Sequence, residues 1–297
     1  MKLALGPILY YWQREALFNF YEQIAGAPVD IVYLGETVCS KRHTFRFEDW
    51  LTVAKKLADS GKEVVLSTQA LIESESDLKT LRRLADNNKF CVEANDMGAV
   101  HLLTGKPFVV GPHINTYNFH TLGLLAELGA KRWVMPVEIS RAMLTDILAK
   151  KPQGMETEVV AFGRLPLAFS ARCFTARHYN LPKDDCQFRC LDHPSGLVLK
   201  ARDGKPFLAL NGIQTQSSSL YNLEPELESL KQTGVDVVRV SPQPQHTVEI
   251  LDLFRQRLDD RLTAIEAGKQ MLPLMEDESC NGYWNSRAGI EQSEVQV

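Results

Sequence analysis

The stretch Val29-Asp-Ile-Val-Tyr-Leu34, followed by Arg46–Ser60 and then Glu63-Val-Val-Leu-Ser67, decides how this chain is built. Two short apolar runs, rich in β-branched residues, flank a segment of helical period. Phe47, Trp50, Leu51, Ala54 and Leu57 fall on one helix face there. Two strands joined through a helix predict parallel pairing, because an antiparallel pair needs only a tight turn. The pattern repeats in both directions. Upstream, Lys2–Tyr10 reads as a strand and Arg14–Ala25 as a helix. Downstream, strands are expected at Phe90–Ala94, Phe108–Pro112, Arg132–Pro136, Glu158–Gly163 and Val235–Val240. Helices are expected at Ser76–Asn87, Met97–Thr104, Phe119–Leu128, Met143–Ala149 and His246–Ala267.

Eight short buried strands alternating with helices predict an α/β fold, a (β/α)8 TIM-like barrel. The competing arrangement is an open doubly wound sheet, which often carries a Gly-rich phosphate loop; none is found here. The eighth strand comes late, so a cysteine-bearing insertion is expected after the seventh. Within it, Leu197–Leu210 reads as a hairpin turning at Asp203-Gly204. The expected organisation is one barrel domain over 1–270, with a cysteine and hairpin insertion at about 170–230. A polar C-terminal tail over 271–297 is expected to be partly disordered after Trp284.

The 297 residues are 44% apolar, with a formal net charge of −4, so no basic field argues for nucleic acid. No apolar run approaches the roughly 20 residues of a membrane span, and the N-terminus lacks an apolar leader core. A soluble, cytoplasmic protein is expected. Six cysteines in a chain of this length do not make a disulfide scaffold. In a reducing compartment, clustered thiols point to metal or redox chemistry.

The cluster is Ser170-Ala-Arg-Cys-Phe-Thr-Ala-Arg-His178, leading into Cys186-Gln-Phe-Arg-Cys190. Three thiols so close together make sense as ligands of one centre. Cys39, just past the second strand, lies on the barrel rim from which the insertion leaves, and is the best candidate for a fourth. Cys91 lies within a strand, where an inert thiol is the default, and Cys280 has no evident partner. Four thiolates suit structural zinc or an iron–sulfur cluster. Zinc ligands come as close pairs, and only Cys186 and Cys190 form one, so the spacing favours a cluster while leaving zinc, or no metal, open.

Other polar residues fall at or just past strand ends: Glu36, Glu93, Asn95, Asp96, His113, Asn115 and Glu138. As a set they could bind a polar small molecule such as a carboxylated ring, with Arg172 and Arg177 as cationic partners. Individually, each more often satisfies loop backbone. Tyr10, Tyr11 and Trp12 read as packing residues, and Val248, Leu251, Phe254, Leu258 and Leu262 as an outer-barrel helix stripe. No Gly-x-Ser-x-Gly or His-Glu-x-x-His is present. Cys173 with His178 could be imagined as a thiol nucleophile and base, but a metal ligand has no free position for that role.

Phe162-Gly-Arg-Leu-Pro-Leu-Ala-Phe-Ser-Ala-Arg-Cys-Phe-Thr-Ala-Arg177 and Lys183-Asp-Asp-Cys-Gln-Phe-Arg-Cys190 resemble the peptidase U32 family, and within it the UbiV branch. Leu3–Trp12, Tyr33–Arg42 and Cys280-Asn-Gly-Tyr-Trp284 carry the same likeness. Broader U32 proteins typically have His-Gly-Ala-Leu-Cys where this chain has Phe162-Gly-Arg-Leu-Pro166. One usual cysteine is thus lost, and Cys39 restores the count. The resemblance implies a [4Fe–4S] cluster on Cys39, Cys173, Cys186 and Cys190. It also implies a heterodimer with a UbiU-like U32 protein and oxygen-independent hydroxylation of a prenylated aromatic quinone precursor. A sterol-carrier-like UbiT protein and prephenate, as oxygen donor, are implied too. A non-catalytic cluster-bearing or electron-transfer subunit, U32-type RNA hydroxylation and peptidase activity are the alternatives.

Overall fold

The computed structural model describes residues 1–293. Eight strands run parallel: β1 (Lys2–Leu5), β2 (Ile31–Leu34), β3 (Glu63–Ser67), β4 (Cys91–Ala94), β5 (Phe108–Val110), β6 (Ala130–Val134), the first half of β7 (Glu156–Phe169), and, late in the chain, Val237–Val240. That last strand pairs with β7 on one side and β1 on the other, which closes the barrel. An open sheet is thereby excluded. The strands are short and nearly all buried because helices cover them outside and side chains fill them inside, as an all-parallel sheet requires.

The helices are α1 (Arg14–Gly26), α2 (Phe47–Asp59), α3 (Glu75–Ala85), α4 (Met97–Leu103), α5 (Phe119–Glu127) and α6 (Arg141–Leu148). Caps set several starts: the Ser74, Asn118 and Ser140 side chains each accept a first-turn N–H.

The insertion is more deeply built in than a hairpin. β7 runs 14 residues, more than twice the expected strand. Its second half leaves the barrel and pairs antiparallel with a strand not expected from the sequence, Gln214–Asn222. Taking the insertion in chain order, a short helix α7 (Phe174–His178) is followed by β8 (Leu197–Lys200), β9 (Pro206–Asn211) and β10 (Gln214–Asn222). The hairpin at Asp203-Gly204 is present as β8–β9, and β10 joins it to β7. β10 escaped notice because its buried alternation is polar: Gln214, Gln216 and Ser218 point inward, where the period-two signal is normally apolar. After α8 (Leu227–Thr233), the closing barrel strand is β11 (Val237–Val240).

Two further expectations are corrected. The long helix from His246 to Ala267 is two helices, α9 (Thr247–Leu258) and α10 (Ala264–Met271). Asp260 adopts a left-handed φ of 56°, and Thr263 with Glu266 forms a reciprocal capping box that starts α10 afresh. The tail is not a loose polar end. Ser279–Cys280 forms β12 beside β10, Trp284 is buried, and Asn281 Oδ1 accepts the Ser293 N–H at 2.7 Å. The part of the tail expectation that falls on 294–297 lies outside the described residues.

Candidate metal centre

Cys39 is presented by a tight loop after β2. Glu36 Oε1 accepts the N–H groups of Val38 and Cys39 at 2.9 and 3.0 Å. The Cys39 carbonyl accepts the Arg42 N–H at 3.0 Å. Burial pushes the Cys39 thiol up to about 11, against the opposing pull of the Arg42 charge.

The other three thiols come from the insertion, which is docked on the β9–β10 turn. Ser170 N–H donates to the Ile213 carbonyl, Phe174 N–H to the Gly212 carbonyl, and Gly212 N–H to Thr175 Oγ1, all between 2.9 and 3.0 Å. These bonds fix Cys173 at the start of α7, where its Sγ accepts the Ala176 N–H at 3.4 Å. Cys186 closes one 3-10 turn, Lys183–Asp185, and Cys190 sits in the next, Arg189–Asp192. Gln187 and Phe188 between them both adopt left-handed backbone, with φ of 50° and 52°. Such a conformation is unfavourable for a bulky residue and reverses the chain sharply. The result is that Cys39, Cys173, Cys186 and Cys190 line one small cavity, with Lys41, Arg42 and Arg189 also in its wall. All four thiols are half-buried and free of disulfides. Among the described residues, no group of three or more His, Cys, Asp or Glu side chains is arranged to hold a single metal ion.

Arg42 is the residue that sequence reasoning passed over. Its side chain is buried beside the thiols, donating from Nη1 to the Leu9 carbonyl and from Nη2 to Asn211 Oδ1, both at 2.7 Å. Glu36 lies 3.7 Å from it, and the Tyr11 ring packs 5.6 Å away. One guanidinium thus ties the loops after β1 and β2 to the insertion, and places a fixed cation next to the four thiols. The available signal was its place three residues after Cys39. Lys41 adds a second cation, paired with Asp184 at 2.5 Å and with the Lys183 carbonyl at 3.0 Å. Cys190, like Cys39, is raised by burial and opposed by Arg42.

Cys91 and Cys280 stand apart from this cavity. The Cys91 thiol reaches the Pro107 carbonyl at 3.8 Å, and burial pushes Cys280 up to about 12. Cys173 and His178 are not arranged as nucleophile and base. His178 packs edge-on against Tyr179, 5.1 Å between centroids.

The expected rim residues do not form one site. Glu36 serves the Cys39 loop. Glu138 is exposed and accepts from the Tyr117 hydroxyl at 3.2 Å. Arg172 is exposed on the insertion, in the wall of a separate surface hollow that reaches Cys173 and Arg177. Glu93 and Asn95 belong to the barrel interior, with His113 at its edge. Asn95 Nδ2 donates to Glu93 Oε2 at 3.2 Å and to the Thr68 carbonyl at 3.0 Å. Burial pushes His113 down to about 4, and its ring sits 4.8 Å from Phe169.

That interior holds a buried ion network whose other members the sequence did not single out. Arg239 Nε on β11 donates to Glu158 Oε1 at 2.6 Å. Its Nη2 lies 2.8 Å from Glu93 Oε1, an ion pair without hydrogen-bond alignment. The Tyr33 hydroxyl donates to Glu158 Oε2 at 2.5 Å and accepts from Arg132 Nη1 at 3.2 Å. The Arg239 guanidinium lies 3.8 Å from the centre of the Tyr33 ring. Glu93 and Arg239 each sit alone in an apolar run, so the pattern along either strand shows only a stray charge.

The fold and the thiol cavity together define a parallel eight-stranded barrel whose rim carries four cysteines from two distant segments. The chain belongs to peptidase family U32, whose family description matches residues 15–272. Among solved structures, it is similar to the U32 peptidase Mk0906 at 12% identity, covering 82% of this chain and 93% of that one, with a TM-score of 0.46. It is also similar to dihydrodipicolinate synthase from Aquifex aeolicus, at 9% identity with coverages of 92% and 80% and a TM-score of 0.40. N-acetylneuraminate lyase from Fusobacterium nucleatum matches at 10% identity, with coverages of 92% and 81% and a TM-score of 0.39. No helix among the described residues is long and apolar enough to cross a membrane.

Proposed function

We propose that this chain is the iron–sulfur subunit of a heterodimer that hydroxylates the ubiquinone precursor ring without O2, as the UbiV branch of the family does. The observation that carries the reading is that Cys39 joins Cys173, Cys186 and Cys190 around one cavity, although well over a hundred residues of chain separate it from them. The donor set fits a [4Fe–4S] cluster. Four thiols line a space rather than converge on a point, and Arg42 and Lys41 stand beside it to balance anionic charge. A cluster bound there supplies one-electron redox chemistry. This chain's own residues do the rest. Glu36 holds the Cys39 loop, Arg42 locks that loop to the insertion, and the β9–β10 turn holds Cys173 in place.

The proposal includes a UbiU-like partner, a prenylated aromatic substrate, prephenate as oxygen donor, a UbiT-like carrier protein and a cytoplasmic setting. Support for a partner comes from the insertion. Among the described residues β8 ends the sheet with a free edge, and Leu199 on it and Phe207 on the adjoining β9 are 45% and 53% exposed. An exposed apolar edge strand calls for a cover.

The test is anaerobic co-purification with the partner, followed by a ring-hydroxylation assay on mixed and separated subunits. Hydroxylation is expected from the mixture alone, and is expected to disappear in Cys186→Ala. Full activity of a cluster-free Cys186→Ala mixture would remove the cluster's role. Equal activity of this chain alone would remove the heterodimer.

A further inference from the structure

The insertion carries a hollow of about 500 Å³, lined from Ala171 to Lys183 by one continuous loop. Its volume is that of a small-molecule site. Backbone bonds build the concavity. After α7, Asn180 turns the chain back with a left-handed φ of 56°, which asparagine tolerates better than most residues. Asn180 N–H donates to the Arg177 carbonyl and Leu181 N–H to the Ala176 carbonyl, both at 2.9 Å. Lys183 Nζ then donates to the Ala171 carbonyl at 2.7 Å and straps the two ends of the loop together. Cys173 lies in the wall, the one thiol that borders both this hollow and the thiol cavity.

Charge decides what the hollow takes. Arg172, Arg177 and Lys183 line it, and no carboxylate does among the described residues. The Lys183 ammonium is already paired with Glu73. Arg172 and Arg177 are exposed to solvent, and neither guanidinium has an ion-pair partner among the described residues. The chain as a whole carries a formal charge of −4, so this positive field is local. Two uncompensated charges of one sign on a concave wall focus the field and concentrate anions there. A guanidinium also meets two oxygens of a carboxylate or phosphate at once. We propose that this hollow binds a small organic dianion, its charge shared between Arg172 and Arg177, against Cys173. The inference rests neither on the proposed hydroxylation nor on a cluster.

Arg172 and Arg177 do not line the thiol cavity, so the test can alter them without touching it. The full chain is titrated calorimetrically with phthalate, phenyl phosphate, benzoate and inorganic phosphate at about pH 8, where a phosphate monoester carries both charges. Saturable 1:1 binding of phthalate or phenyl phosphate is expected, and the tighter of the two tells a dicarboxylate from a phosphate ester. Benzoate, with one charge, is expected to bind about fivefold more weakly than the better dianion. Arg172→Gln and Arg177→Gln, both exposed changes that leave the core intact, should each weaken the better dianion about fivefold, the worth of one well-aligned exposed ion pair. Arg202→Gln removes the same charge from the β8–β9 turn and should change nothing. Absence of saturable binding overturns the proposal, as does unchanged affinity in either Arg172→Gln or Arg177→Gln. An equal loss in Arg202→Gln would reduce the effect to overall charge and overturn the site. Benzoate binding as tightly as the better dianion overturns the dianion, and inorganic phosphate doing so overturns the organic class.

Discussion

The thiol cavity is held by loops, and the ion network inside the barrel is held by strands. At the cavity, Cys39, Cys173, Cys186 and Cys190 depend on turn hydrogen bonds, left-handed residues and one bridging arginine. In the barrel, Glu93, Glu158, Tyr33 and Arg239 depend on four separate strands whose register is fixed by ladder bonds. Loops can bring remote thiols together and can be rebuilt without disturbing the barrel. A charge network on strands cannot be altered without unpairing a charge in a dry interior. The first region is therefore where function can vary, and the second is where stability is at stake.

The sharpest way to break this contrast is to remove single thiols. After anaerobic reconstitution, the chain is expected to hold about four irons. Cys39→Ala, Cys173→Ala, Cys186→Ala or Cys190→Ala should each lose most of that iron, while Cys91→Ala and Cys280→Ala should keep it. Iron analysis and visible absorbance decide, and bleaching in Cys280→Ala with retention in Cys39→Ala would overturn the ligand set. Next comes the barrel network. Arg239→Met leaves Glu93 buried without its cation and Glu158 with only Arg132 at 3.8 Å, and should cost about 3–5 kcal/mol in urea unfolding. A loss below about 1 kcal/mol would mean that the network carries little of the fold.

Arg42→Met probes the side chain that ties the loops after β1 and β2 to the insertion. It removes two buried hydrogen bonds from a charged donor, so about 2–4 kcal/mol should go, together with weaker iron retention. His113 gives a pH signature. Its folded pKa of about 4 lies below the ordinary value of 6.5, so the unfolded chain takes up the proton first. Native stability should fall as pH drops from 6.5 towards 4, and His113→Gln should flatten that slope. An unchanged slope would place the His113 ring in water. The smallest effect is expected at the hairpin tip. Gly204 sits at φ +85° with open space around it, so Gly204→Ala should cost about 1 kcal/mol and leave iron content untouched.

Local patterns made the barrel legible. Strand and helix periods are set by backbone geometry and by which face meets the core, so β1 to β7, β11 and the outer helices could be read one window at a time. The α10 capping box was also written locally, in Thr263 and Glu266, and was missed only because the apolar stripe ran on past it. The cysteine set was reachable from spacing and topology together, since strand order alone puts Cys39 and the insertion on one rim.

What the sequence by itself determined is the alternation of elements, the closed barrel it implies, and the family to which the motifs belong. Only the tertiary structure decided that polar β10 is a buried strand, that the tail packs against it, and that Arg42 bridges the loops. It also decided that Glu93 meets Arg239, which holds Glu158 as well, rather than a rim ligand. The reason is physical. Burial of an apolar residue is favourable in almost any compact arrangement, so its pattern can be read without knowing its neighbours. Burial of a polar or charged group is favourable only beside a particular partner, and that partner lies tens to hundreds of residues away.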